Sequence, residues 1–222
     1  MNCKALRVLF GVALMLGVIS AQSASASPLT VGQSSAWITG DQDGGFHSLS
    51  TASGSVSCLT ATFTAKTSGT TVNELTITPA YESCTAFGFA NAHISMNGCT
   101  YTLTTANDFG TNQVIWNGGL FGQFHIACPE GKTIVITPTS FGVSVCTQTI
   151  GPQDPGGNIV GRSAGTSSAM DITLEISWTR LSYKGTGGAC GTSGEFGTYT
   201  GKSTFRCFGN EFHTFQTPCT FS

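Results

Sequence analysis

The sequence predicts an all-β protein: a single antiparallel, sandwich-like domain stapled by up to four disulfides. Three observations carry this expectation. Apolar and hydroxyl side chains alternate with period 2 in stretch after stretch, the mark of strands with one buried and one solvated face. Charged residues are only 9% of the chain, threonine and serine stand in their place, and 29 glycines supply turns. The chain holds 9 cysteines; with Cys3 set aside in the leader, the even remainder suits bridges in an exported chain. No run combines helical period with helix caps.

Residues 1–26 read as a secretory signal peptide. Lys4 and Arg7 make the positive start, residues 8–19 are continuously apolar, and Ala24-Ser25-Ala26 is a small-x-small cleavage site. The apolar run is shorter than the roughly 20 residues a spanning helix needs, and no later stretch replaces it. The expected product is therefore secreted, extracellular or envelope-associated, without a transmembrane anchor. It spans residues 27–222, of which 206–222 form a cysteine-closed tail.

Residues 27–35 read as a polar lead-in and 36–39 as a first strand, followed by a loop at 40–45. Leu59, Ala61, Phe63 and Ala65 alternate with Thr60, Thr62, Thr64 and Lys66, which predicts a half-buried strand. Leu75 and Ile77 continue a partner strand that Pro79 ends or marks as an edge. Ala92, Ile94 and Met96 lead to Asn97-Gly98, a two-residue hairpin turn, and Tyr101 and Leu103 follow. After a polar loop at 106–112, Phe124 and Ile126 return. Ile134 and Ile136, then Val143 and Val145, form further strands, separated by residues 138–142. The longest clean alternation is Ile172, Leu174, Ile176 and Trp178, with Trp178 in core phase. A Gly-rich turn at 185–194 precedes a last strand at 198–205.

Facing residues of an antiparallel hairpin are equidistant from its turn. Cys58 and Cys84 are centred on residue 71, within the turn region, and Cys99 and Cys128 on a midpoint near 113. These pairings, with Cys207–Cys219 and, by elimination, Cys146–Cys190, are the expected set. Its main rival joins Cys128 to Cys146.

Several segments carry a resemblance. Thr78-Pro79-Ala80-Tyr81, Cys84-Thr85-Ala86-Phe87-Gly88, Asn97-Gly98-Cys99-Thr100-Tyr101, Cys128-Pro129-Glu130-Gly131-Lys132, Cys146 through Gly151-Pro152-Gln153, and Gly197-Thr198-Tyr199-Thr200-Gly201 occur in this order. Together they resemble a group of secreted, disulfide-containing all-β proteins of soil-dwelling high-GC Gram-positive bacteria. The resemblance implies export and a β architecture and transfers no activity.

The chemistry in the sequence is sparse. Net charge is −2, so nothing recruits nucleic acid. His47, His93, His125 and His213 lack metal-ligand spacing, and His93 and His125 fall on outer strand faces. Asp41 and Asp43 match only the first positions of a calcium loop, since Phe46 stands where its glycine belongs. Gly191-Thr192-Ser193-Gly194 is not a nucleophile elbow. Glu74, Glu82, Asp108, Glu130, Glu175 and Glu195 are the available carboxylates, and no spacing pairs them as glycosidase acids. No cofactor is implied.

Aromatic platforms are the remaining chemistry, because flat rings stack on sugars. Trp116 and Phe121 in a Gly-flanked segment are the first candidate ligand-binding pair, and Phe87 with Phe89 the second. The sequence thus points to a non-catalytic structural or interaction protein, with cell-surface polysaccharide or protein as partner. A carbohydrate-binding module using Trp116 and Phe121 is the alternative, and a hydrolase of unrecognised type the second alternative.

Overall fold

Among the described residues, seventeen strands follow one another with no α-helix. They are β1 (Leu29–Val31), β2 (Trp37–Gln42), β3 (His47–Thr51), β4 (Gly54–Lys66), β5 (Thr71–Val72) and β6 (Glu74–Ala86). β7 (Ala90–Ser95), β8 (Thr100–Thr104), β9 (Asn112–Trp116), β10 (Gly119–Ala127), β11 (Ile134–Ser140) and β12 (Val143–Ser144) follow. The series ends with β13 (Thr147–Ile150), β14 (Gly156–Ser163), β15 (Ile172–Thr186), β16 (Gly194–Phe208) and β17 (Cys219–Phe221). The structure, a computed structural model, describes residues 29–104, 112–116, 119–163, 171–191 and 193–221, with backbone alone at 112–116, 119–122, 161–163 and 220–221. The expected leader and most of the 106–112 loop lie outside these residues.

Four long strands, β4, β6, β15 and β16, are the staves of the molecule. β4 pairs with β6, and β15 with β16. Near one end the two pairs are joined on one side by β2 and on the other by β8, β10, β9 and β14. Near the other end, β3 joins them on one side and β7, β11 and β13 on the other. Both circuits close, so the two sandwich layers are linked edge to edge, and closure leaves the four staves paired on both sides over most of their length, which limits the exposed edges that invite aggregation. Every pairing is antiparallel except β14 with β9. The three-stranded sheet β17-β1-β5 lies at the first end. There Leu29 packs with Leu75, Leu103, Leu174 and Phe205 and plugs it.

Three of the four staves reverse their alternation where the two circuits meet. On β4 the buried residues are Val56 and Cys58, then Ala61, Phe63 and Ala65. Leu59, expected inside, is 61% exposed. It stands opposite Ser83, which has φ 52°, and both are skipped in the β4–β6 ladder. On β15 the phase turns at Arg180, φ 54°, where the register against β16 shifts. Such irregularities re-aim a strand. Here they let one strand line two chambers that face different walls.

Several expected boundaries move. The lead-in contains β1, and β2 runs on to Gln42, which shortens the expected loop. β6 continues past Pro79 to Ala86. Pro79 pairs with Phe63 on β4, and its other flank falls between the segments paired to β8 and β7, so it is a local edge as expected. β11 runs through Pro138, whose carbonyl accepts from Val145 N at 3.0 Å. Its missing N–H falls on that irregular side, and the β7 pairing does without it. Cys207 belongs to β16, and the tail returns as β17 beside β1.

The four expected cysteine pairs form. Cys58 sits directly opposite Cys84 in the β4–β6 register. Cys99–Cys128 extends the β8–β10 register by one step. Cys146–Cys190 ties β13 to the β15–β16 connection, with Cα atoms 5.4 Å apart, and Cys207–Cys219 ties β16 to β17 across 6.0 Å. The rival Cys128–Cys146 pairing does not occur.

Candidate functional site

The interior where the circuits meet is polar at its centre. His47, Tyr81, Tyr101 and Tyr199 arrive from β3, β6, β8 and β16. Lys202 O accepts from His47 Nε2 at 3.1 Å, which fixes the proton on that nitrogen, and Ser203 Oγ shares it at 3.0 Å. His47 Nδ1 then accepts the Tyr199 hydroxyl at 2.6 Å. Tyr81 donates to Tyr199 at 2.7 Å and Tyr101 to Tyr81 at 2.8 Å. The chain therefore runs one way, from Tyr101 to the Lys202 carbonyl. Burial holds all three phenols well above their usual pKa and pushes His47 below its own, against the opposing pull of the Lys202 carbonyl. The network is uncharged near neutrality.

Tertiary packing holds this network in place. Trp178 stacks on Phe124 at 4.8 Å and 12°, and meets Tyr101 edge-on at 4.9 Å. A Cβ on Gly201 would clash with the His47 ring at Nδ1, Cε1 and Cγ, so only glycine fits there. A gap of about 40 Å³ remains between His47, Tyr81, Tyr101, Trp178 and Tyr199, room for a water rather than an organic ligand. The sequence singled out His47 only as one of four histidines and missed the three tyrosines. The available signal was that Tyr101 and Tyr199 occupy inward positions, where a phenol needs a partner.

The sequence-derived candidates scatter. Trp116 lies at the end of β9, and Phe121 is at the β10 bulge against β9; their side chains lie outside the described residues, as does Asp108. Glu74, Glu82, Glu130, Glu175 and Glu195 are exposed, the first two on β6, Glu130 in a turn, and the others on β15 and β16. Glu82 and His93 do share an open depression of about 540 Å³ where β6 and β7 diverge. His125 is on β10, which does not neighbour β7, and His213 packs on Trp37 and Phe208. Asp43 pairs with Lys202 at 2.9 Å, and this hydrogen bond, with a second from Thr204, lowers its pKa. Asp41 lies 3.9 Å from Arg206. Among the described residues no three of His, Cys, Asp and Glu gather as a metal site.

The surface feature that stands out is the end of the molecule opposite the β1 plug. Two hairpin turns there carry Phe-Gly where Asn-Gly is the common choice. Phe87 and Gly88 have φ 58° and 78°, and Phe141 and Gly142 have φ 51° and 79°. Both central residues are left-handed in each turn, the type I′ form that Asn97-Gly98 adopts elsewhere with φ 50° and 82°. A bulky residue in that region is an outlier and costs stability. Phe141 is 105% exposed, Val143 67% and Phe89 76%. Phe87 is half-buried and packs against Phe89 with centroids 6.4 Å apart. Because Thr139 pairs with Asn91, the two turns leave adjacent strands at the same level. Phe196, also exposed, lies on the outer wall of the same end beside Ser50–Ala52.

Comparison with protein-family models, with curated proteins and with solved structures returns no match. The four bridges place the protein in an oxidising, non-cytoplasmic setting. No helix among the described residues is long and apolar enough to cross a membrane.

Proposed function

We propose that the chain is exported, with residues 1–26 removed, and acts as a non-catalytic interaction protein of the cell envelope or extracellular space that docks by its Phe-tipped end. The observation that carries this reading is Phe141. A phenyl ring fully in water, on a backbone conformation it disfavours, contributes nothing to the core. Strain of this kind persists where it serves binding. The resemblance to secreted all-β proteins supports the export half of the reading.

The test has two arms. N-terminal sequencing of protein recovered outside the cytoplasm should begin at or near Ser27; an intact Met1 ends the export reading. Purified mature protein should be retained by isolated envelopes, and the Phe89→Ser/Phe141→Ser variant should be washed out. Equal retention of both ends the docking reading.

A second reading, carbohydrate binding through Trp116 and Phe121, draws on the bulge that sets Phe121 apart in the β9–β10 hairpin. A polysaccharide pull-down in which Trp116→Ala is retained like the parent protein ends it.

A further inference from the structure

The geometry points to a partner for this end: the net-neutral, zwitterionic headgroup boundary of a lipid bilayer, into which Phe89, Phe141 and Val143 insert. This inference rests on the Phe-tipped end being the working surface.

Four properties of the two tips favour lipid. The segments Ala86-Phe87-Gly88-Phe89-Ala90 and Ser140-Phe141-Gly142-Val143-Ser144 contain no ionisable side chain, so entering the interface desolvates no charge and gains nothing from an anionic surface. Their backbone is already paired in part. Phe89 N donates to Ala86 O at 3.2 Å, Phe87 N to Ser55 O at 2.8 Å, and Ser140 pairs with Val143. Each group satisfied internally lowers the cost of approaching a medium poor in water.

The third property is shape. The rings project from turns rather than lining a groove, and Phe87 and Phe89 are tilted by 41° rather than coplanar. The tips also lack amide or carboxylate side chains to hold sugar hydroxyls. The fourth is size. Three such side chains offer roughly 400–500 Å², about half of the 800 Å² that each partner gives to a standard protein interface. A fluid interface moulds around convex tips, whereas a second folded chain does not. Binding of this kind is reversible, comparable to a single weak anchor rather than a stable one.

The experiment is flotation of the disulfide-intact mature protein with phosphatidylcholine vesicles. Wild type is expected to float. Each of Phe89→Ser and Phe141→Ser should cut the partition coefficient about tenfold, and the double variant about a hundredfold. Phe212→Ser, which alters an exposed ring in the tail beyond the opposite end of β16, should leave it unchanged. Adding anionic phosphatidylglycerol, or raising salt from 0.1 to 1 M, should change binding less than twofold, in contrast to an electrostatic mode.

A wild type that stays in the dense fraction overturns the lipid assignment, as does a double variant that floats equally well. If vesicles are not bound but lipid-extracted envelopes still retain wild type and lose the double variant, lipid is refuted while the docking end stands. If sedimentation shows a dimer that the double variant abolishes, the occupant is a second copy and lipid is again refuted. Loss of neither retention nor flotation refutes both.

Discussion

Replacing Phe141 with asparagine separates what the fold requires from what the surface is for. Phe141 holds φ 51° at the first central position of its turn, and its ring is 105% exposed. The left-handed conformation costs an ordinary L-residue about 1–2 kcal/mol, while asparagine visits it readily. No packing is lost, because a ring wholly in solvent touches nothing that a smaller side chain would abandon. The substitution should therefore stabilise the protein by about 0.5–1 kcal/mol, which in a chain of this size raises Tm by about 1–4 °C. Differential scanning calorimetry of the oxidised protein, wild type against Phe141→Asn, reads this directly. A Tm lowered by more than a degree would refute the reasoning, since it would mean that the ring supports the fold. A gain in stability accompanied by weaker vesicle binding is the trade expected where a strained residue is kept for a surface role.

Three further expectations concern the interior. Tyr199→Phe removes the hydroxyl between Tyr81 and His47 and leaves buried partners unpaired, so denaturant unfolding should show a loss of about 1–3 kcal/mol with m unchanged. His47 is held neutral by burial, with a folded pKa below the usual 6.5. The unfolded chain therefore takes its proton first, and stability present above pH 6.5 declines as pH falls towards the folded value, by at most about 1.4 kcal/mol per unit; unfolding curves between pH 7 and 5 should flatten in His47→Gln. On β4, Leu59→Thr should stay within about 0.5 kcal/mol of wild type, whereas Phe63→Ala should cost about 3–5 kcal/mol. Equal losses at the two positions would contradict the reversal of phase between them.

Local rules, legible in the chain itself, settled the fold class, the Asn97-Gly98 turn and the Cys58–Cys84 bridge. Period-2 alternation marked the buried faces of Phe63, Ile77, Leu103 and Trp178, all of which lie in the core. Asn97-Gly98 formed its predicted turn, and equal distance from a turn paired Cys58 with Cys84; Cys99 pairs with Cys128 as expected, but their midpoint falls in β9 rather than in a turn, so the β8–β10 register brings them together. These features depend on neighbours a few bonds or one hairpin away, so residue type and spacing specify them. Closure of the sheet, the reversals at Leu59 and Arg180, and the meeting of His47 with Tyr199 across 152 residues depend on which strands lie side by side. That choice is made by packing of the whole interior, which no local pattern encodes. The same holds for Phe89 and Phe141. Phe89 was legible with Phe87 as a candidate platform and Phe141 only as part of the 138–142 separation; the β7–β11 register is what places both, uncovered, at one end of the molecule.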